Sequence, residues 1–148
     1  MKQAICLTAG ALSLLLLSFG SRAIAQDQYT EGTVDRVTLV HILPGHFSVF
    51  MEDLKANIKP IWDAEKSAGI IVDYNIFLNQ TRANVDDWDI GFVLSYKNMA
   101  ALDGLGMKVL ELRMKQYGDK SKEQGVVNKR VENTQVVASY LIRNVSLK

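Results

Sequence analysis

Residues 70–96 read IIVDYNIFLNQTRANVDDWDIGFVLSY, and this stretch decides the fold. Every second residue is apolar from Ile70 to Asn79 and again from Trp88 to Tyr96. A period of two, in runs rich in β-branched and aromatic residues, is typical of strands. Because only the polar stretch Gln80 to Asp87 separates the two runs, the sequence predicts two antiparallel strands joined as a hairpin.

A strand and a long helix are predicted ahead of this hairpin. Val34 to Leu43 alternates roughly and is stopped by Pro44-Gly45. From His46 to Ala68, apolar residues recur at steps of three and four, as they do on one face of an amphipathic helix. Pro60 lies within this helix and has no N–H to donate, so we expect the helix to bend there.

A second helical region and a last strand follow the hairpin. Asn98 is a favourable N-cap for a helix that ends at Gly118, although two early glycines weaken its first turns. A short helical piece is predicted around Gly125, and Thr134 to Val145 forms the final strand. The element order is therefore β-α-β-β-α-β. It predicts an α+β, ferredoxin-like domain, in which a four-stranded antiparallel sheet carries two helices on one face.

The predicted sheet has a second face that no helix covers. Its residues should be polar if that face met only water. Instead Phe77, Val93 and Leu141 lie there among polar neighbours, and soluble monomers rarely expose contiguous apolar surface of this kind. We therefore expect two copies to associate through their sheets as a homodimer, forming an α/β barrel.

With this architecture the chain resembles the dimeric α/β-barrel superfamily over most of its length. The resemblance rests on the element order, on the Pro44-Gly45 turn that opens an amphipathic helix, and on the ending Tyr140-Leu141-Ile142-Arg143. The superfamily includes antibiotic-biosynthesis-type monooxygenases, haem-degrading and chlorite-dismutase-like proteins, muconolactone isomerases, EthD-like proteins and stress-responsive barrels with no known reaction. The resemblance implies topology and a dimer, and no catalytic motif of these groups maps onto residues of this sequence.

The first 25 residues predict a signal peptide. Lys2 precedes an apolar run, and Ala23-Ile24-Ala25 has the small-x-small pattern at which a signal peptidase cuts. The apolar run is short of the ~20 residues that a membrane span needs, which disfavours a transmembrane anchor. We expect cleavage before Gln26, then a flexible lead-in over residues 26–33 and one domain over residues 34–148. The protein is expected to be bacterial and periplasmic or secreted, with no membrane association after cleavage.

Composition excludes several kinds of site. The one cysteine, Cys6, lies in the leader, so the mature chain has no disulfide, thiolate metal site or cysteine nucleophile. Once Lys2 and Arg22 leave with the leader, 15 basic residues face 16 acidic ones, and a charge near −1 disfavours nucleic acid as a partner. The aspartates at 86–89 lack the glycine and distal glutamate of a calcium loop, so we interpret them as a charged turn. No metal and no cofactor are predicted.

Three polar residues are candidates for acid–base catalysis. His41 lies in the middle of the first strand, where an imidazole suits proton transfer or haem ligation if it faces a pocket. Asp73 and Asn75 occupy alternate positions of the second strand and project to the same side, where a buried carboxylate can accept a proton from a substrate. A packed histidine, and a polar pair in solvent or at a dimer seam, are the structural alternatives.

Aromatic residues are the candidates for ligand binding. They could line an apolar cavity between the helices and the sheet, or could be core residues. These residues are Trp62, Tyr74, Trp88 and Tyr140, with Tyr96 as a further aromatic.

Three functions fit these observations. The first is an exported dimeric barrel that binds a small, largely apolar molecule in a pocket beneath the helices, without an assigned reaction. The second is a cofactor-independent monooxygenase or isomerase, in which His41, Asp73 and Asn75 act on substrate protons. The third is a haem-binding protein that uses His41.

Overall fold

The alternating runs of the sequence form strands in the computed structural model, which describes residues 28–148. The predicted signal peptide, residues 1–25, and the start of the predicted lead-in lie outside the described residues. The strands are β1 (Tyr29–Ile42), β2 (Asp73–Leu78), β3 (Ile90–Tyr96) and β4 (Thr134–Leu147). The helices are α1 (Phe47–Asp53), α2 (Lys59–Ser67), α3 (Leu105–Tyr117) and α4 (Lys120–Asn133), with a π-helical segment over Leu54–Ile58 and a 3₁₀ helix over Met99–Leu102.

The four strands form one sheet in the order β2-β3-β1-β4, and the predicted four-stranded antiparallel sheet is confirmed. β3 pairs antiparallel with both β1 and β2. β4 also runs antiparallel to β1, since Leu43 N–H donates to Asn133 O at 3.0 Å while Asn144 Nδ2 donates to Thr33 Oγ1 at 2.8 Å. Hence β1 and β2 are parallel with β3 between them, and β3 and β4 are parallel with β1 between them.

Strand β1 begins earlier than the sequence predicts. Residues 29–33, predicted as part of a flexible lead-in, belong to this strand. By its contacts the chain divides into a main unit, residues 31–144, and a terminal unit, of which residues 28–30 and 145–148 are described. Within the terminal unit, Lys148 N–H donates to Gln28 O at 3.1 Å. Every site described below lies in the main unit.

The helical layer is more divided than the two predicted helices. Pro60 lies in the first turn of α2, and the irregularity comes just before it, as the π-helical segment in place of a simple kink. Asn98 does act as an N-cap, accepting from Ala101 N–H at 3.1 Å, but it caps only the 3₁₀ helix. Gly104, at φ 66°, separates the 3₁₀ helix from α3. The short piece predicted around Gly125 is the full helix α4.

One face of the sheet packs against these helices. Alternate residues of β1 and β3 are buried there against α1, the π-helical segment and α3. The buried residues of this core form two clusters: Val40, Ile42, Phe50, Leu54, Ile90 and Phe92 in one, and Ile71, Tyr96 and Leu105 in the other. Among residues 28–148, no helix is both long and apolar enough to cross a bilayer.

The other side of the sheet is here called the open face. It carries the alternate strand residues whose side chains point away from the helices. Register aligns Val37 with Val93, and Leu39 with Gly91 and Phe77, so these side chains share one face. A Cβ at Gly91 would collide with the Phe77 ring, so only glycine lets that ring lie across the strand. The placement of Phe77 and Val93 together is therefore as the sequence predicts.

Strand β4 is uncovered on both faces. Leu141 and Ile142 are adjacent, so their side chains point to opposite faces, yet they are 45% and 43% exposed. Val136 and Tyr140 are similarly exposed. An apolar strand at the edge of a sheet readily pairs or packs with another chain.

Substitution of the buried Leu54 tests which face of the helical layer packs against the sheet. Leu54 is 3% exposed in the core, whereas the adjacent Lys55 is exposed to solvent. We expect Leu54→Ala to lower the free energy of unfolding by about 2–5 kcal/mol, because it leaves a cavity. Lys55→Ala, the control, should change it little. Chemical denaturation measures both, and equal small effects would contradict this assignment of the helical faces.

Candidate functional site

A cavity of about 470 Å³ lies between the sheet and the helices, and is here called the helix–sheet cavity. β1 and β3 form its floor, α2 one wall and α3 another. Its polar lining is Arg36, Glu65, Tyr96 and Arg113, and its apolar lining includes Trp62, Leu94, Leu102, Leu105 and Val109. Trp62, Glu65 and Arg113 also line an adjoining cavity of about 200 Å³.

Glu65 is the most unusual residue of this cavity. It follows Trp62 by three positions on α2, so both side chains lie on the helical face that meets the sheet. Glu65 is 3% exposed, and its carboxyl has no hydrogen-bond partner among residues 28–148. Burial raises the pKa of this carboxyl, while the Arg113 and Arg36 guanidiniums lower it by less. The raised pKa favours the neutral acid, which can donate a hydrogen bond into the cavity.

Tyr96 and Arg36 form the floor of the cavity beside Glu65. Tyr96 ends β3 and is 1% exposed, and the Arg36 guanidinium carbon lies 5.5 Å from the centre of its ring. Burial raises the pKa of the Tyr96 phenol, Arg36 lowers it and Glu65 raises it further. The floor therefore presents a phenol and a fixed positive charge to the cavity.

The π-helical segment and α3 are joined beside the cavity. Tyr117 Oη donates to the carbonyl oxygen of Asn57 at 3.2 Å, within the π-helical segment. Arg113, one turn earlier on α3, pairs with Glu123 at 3.3 Å. π-Helical insertions are often found next to functional sites, where they re-aim side chains.

The four aromatic ligand-binding candidates lie in different places. Trp62 lines the cavity and contacts Phe92 and Tyr74, with ring centres 5.2 and 5.5 Å apart. Tyr74 supports Trp62 from behind, and its hydroxyl donates to Asp63 at 2.7 Å. Trp88 lies on the open face against Phe77, and Tyr140 is exposed on β4. The structure thus brings Trp62 and Tyr74 together and leaves Trp88 and Tyr140 apart from them.

The three acid–base candidates do not converge. Asp73 pairs in register with Ser95 at one end of β3, and its carboxylate accepts from Lys66 at 2.7 Å. Asn75 is exposed, and its Oδ1 accepts from the N–H of Ile76. His41 lies past the other end of β3, beyond the pair of Val40 with Ile90. None of the three lines the helix–sheet cavity.

Glu65, Arg36 and Arg113 are not among the site residues that the sequence predicts. A signal for Glu65 was present, because it lies four residues after Ile61 and three after Trp62, within the apolar stripe of the predicted helix. A charged residue in such a stripe is either paired or functional. Among residues 28–148, no three His, Cys, Asp or Glu side chains are grouped so that they could hold a metal ion.

No protein-family model matches the chain, and no curated protein matches it. Solved structures do. HapK from Hahella chejuensis is 13% identical, with 75% of this chain and 91% of that protein covered at a TM-score of 0.48. A dimeric ferredoxin-like protein from an uncultured marine organism is 11% identical, with 80% and 96% covered at a TM-score of 0.45.

A third solved structure, a dimeric protein of unknown function and ferredoxin-like fold from Bacteroides fragilis, is 11% identical, with 76% and 95% covered at a TM-score of 0.44. Two of these three neighbours are dimeric ferredoxin-like proteins. The site described above rests on the contacts of this chain alone.

The raised pKa of Glu65 predicts a pH-dependent stability. A carboxyl that holds its proton more tightly when folded stabilises the fold below its unfolded pKa, and this stabilisation is lost as pH rises through the folded pKa. Glu65→Gln stays neutral, so at neutral pH we expect it to have a larger free energy of unfolding than the parent. The difference should shrink as pH falls toward 4.

Denaturant unfolding at a series of pH values measures this difference. The exposed Glu52 supplies the control, since Glu52→Gln should leave the free energy of unfolding almost unchanged. A Glu65→Gln protein less stable than the parent at neutral pH would show that the carboxylate is favourably paired, contrary to this description.

Proposed function

We propose that the protein binds a small, largely apolar molecule in the helix–sheet cavity, with the polar end of that molecule at Glu65. The observation that carries this proposal is a buried carboxyl, without a hydrogen bond to the described residues, on a cavity of about 470 Å³. Cavities that hold small molecules typically measure about 300–1,000 Å³ and combine apolar walls with few polar groups.

The lining indicates what such a molecule needs. Trp62, Leu105 and Val109 offer apolar and aromatic contacts. The guanidiniums of Arg36 and Arg113 are hydrogen-bond donors, and the Glu65 carboxyl donates when it is protonated. A carbonyl, hydroxyl or carboxylate oxygen on an apolar body would satisfy these donors and leave the rest of the molecule against the apolar walls.

Binding without an assigned reaction is proposed ahead of the oxygenase or isomerase alternative. His41, Asp73 and Asn75 would have to act together in that alternative, yet His41 and Asp73 lie at opposite ends of the sheet. Haem ligation by His41 would place the haem away from the helix–sheet cavity. Export to the periplasm or medium, as the leader predicts, is part of the proposal.

A homodimer through the open face also belongs to this proposal. Phe77 and Val93 lie there beside Val37 and Leu39, on the side of the sheet away from the helices of residues 28–148. Two such faces that meet would bury the apolar side chains of both copies. Leu141 on β4, which the sequence assigns to the same face, is 45% exposed.

Ligand binding can be tested with 1-aminoanthracene, a neutral aromatic amine whose emission rises in apolar surroundings. We expect saturable binding at one site per chain. Val109→Phe replaces an isopropyl group of the cavity lining with a larger phenyl ring. This should weaken binding by about tenfold or more, since a filled cavity excludes the probe. Fluorescence titration gives the Kd of each protein.

The same substitution on an exposed helix is the control. Val131 on α4 is 67% exposed and lines none of the cavities described, so Val131→Phe should leave the Kd unchanged. An unchanged Kd in Val109→Phe, with the protein folded, would place the probe elsewhere and contradict the proposal.

The dimer predicts that light scattering at micromolar concentration gives about twice the mass of the mature chain. Val93→Asp should split the dimer or prevent folding, because symmetry would bury an unpaired carboxylate from each copy. Val131→Asp, the exposed control, should stay dimeric. A monomeric parent, or a Val93→Asp dimer of unchanged stability, would rule out association through the open face.

A further inference from the structure

A second cluster of polar side chains lies at the other end of the sheet, on its open face. We propose that His41 and Asp89 form a proton-accepting pair that serves a second small-molecule site, distinct from the helix–sheet cavity. His41 is five positions from Arg36 along β1, or about 16 Å at the rise of a strand, and its side chain points to the opposite face. The proposal is therefore independent of ligand binding at Glu65.

The geometry assigns the tautomer of His41. Its Nδ1 lies 3.0 Å from Asp89 Oδ2 and 3.1 Å from the carbonyl oxygen of Asp87, and both of these atoms can only accept, whereas the one donor near it among residues 28–148, Arg82 Nη2, is farther away at 3.5 Å. Nδ1 therefore carries a hydrogen and donates it. In the neutral ring, Nε2 then has a free lone pair, and it has no hydrogen-bond partner among the described residues.

Asp89 is itself held in place from three directions. Its Oδ2 accepts from the N–H of Ile42 at 2.7 Å, and its Oδ1 lies 3.0 Å from Arg82 Nη1. The Asp89 and His41 side chains are 14% and 9% exposed, so the pair is largely shielded from water. A carboxylate fixed in this way orients an imidazole and stabilises the imidazolium that forms when Nε2 takes a proton.

His41 of this pair lines a cavity of about 480 Å³, between the turn that follows β1 and the loop between β2 and β3. His41 and Arg82 are its charged or titratable lining residues, and the others are Ile42, Pro44, Asn84 and Val85. The lining is thus mainly apolar, with one proton acceptor and one guanidinium. It suits a small, weakly acidic molecule with an apolar body, such as a phenol or an enol.

The proton transfer is balanced by the groups present. The O–H bond of the ligand breaks, its electron pair stays on oxygen, and an N–H bond forms at Nε2 of His41. Asp89 then faces the imidazolium, and the ligand anion can lie near Arg82. No oxidant, reductant or metal is needed for this step.

A purely structural role is the competing explanation, in which the pair only ties the loop to β1. The proton-accepting role and the structural role can be distinguished with 4-nitrophenol, a small phenol whose anion is yellow. The probe is added at a pH below its own pKa, where it is mostly neutral in solution. The His46→Gln protein provides the background, since it leaves His41 as the only histidine and removes no capping hydrogen bond. Nitrogen-15 NMR of the His41 ring then reports which nitrogen carries the proton.

We expect Nδ1 to be protonated and Nε2 unprotonated in the free protein at a pH where the ring is neutral. Adding the probe should shift the Nε2 resonance toward the position of a protonated nitrogen. The yellow anion should appear at the same time. His41→Gln should lose the anion signal, and Asp89→Asn should lose or weaken it. The exposed Asp86, whose carboxylate has no contact with His41, supplies the control: Asp86→Asn should keep the signal.

A proton on Nε2 in the neutral free ring, or no shift and no anion on addition of the probe, would overturn the proposal. So would an anion signal that persists in a folded His41→Gln protein. The NMR measurement leaves the pair intact, so it decides the matter even if Asp89→Asn fails to fold.

Discussion

The register of β1 and β2 on the central strand β3 is the constraint on which the rest of the structure depends. Along β3, one set of alternate residues faces the helices and the other faces outward, because successive side chains of a strand point to opposite faces. Phe92 and Tyr96 thereby enter the core, while Gly91 and Val93 face outward. A slip of one residue would exchange the two sets. The Phe77 ring, which lies where a side chain at position 91 would be, favours this register.

Both candidate sites follow from that constraint. Arg36 and Tyr96 fall on the helical side and meet Glu65, while His41 and Asp89 fall on the open side at the far end of the strands. Each site combines residues from elements distant in sequence. The sheet therefore separates two sets of titratable groups that do not contact each other.

Sequence patterns predicted those parts of the fold that local periodicity controls. The hairpin was predictable because β2 and β3 alternate strictly, and Gly118 ends α3 at φ 81° as a helix-ending glycine should. The π-helical segment was not predicted, and its hydrogen bond to α3 comes from Tyr117, which is 60 positions from Asn57. Tertiary contacts of that kind leave no trace in a local pattern.

The candidate sites were predictable only in part. His41 was identified, but Asp89 was interpreted as one of several charges in a turn. Its alternation with Gly91 and Val93 already placed it on the face of His41, and the pairing of β1 with β3 was the missing fact. Glu65 was missed although it interrupts an apolar stripe. Glu65 broke a pattern whose apolar members were used to predict the fold, whereas Asp89 fitted the alternation of its strand and its partner lay in another strand.

The two tryptophans of the chain lie on opposite sides of the sheet. Trp62 packs against Phe92 and Tyr74 beside the helix–sheet cavity, whereas Trp88 packs edge-on against Phe77 on the open face. Each indole therefore reports on a different surface, one on the interior between sheet and helices and the other on the outward side. The protein carries a separate intrinsic fluorophore for each of the two surfaces, and replacing either tryptophan with phenylalanine would leave emission that reports on a single face.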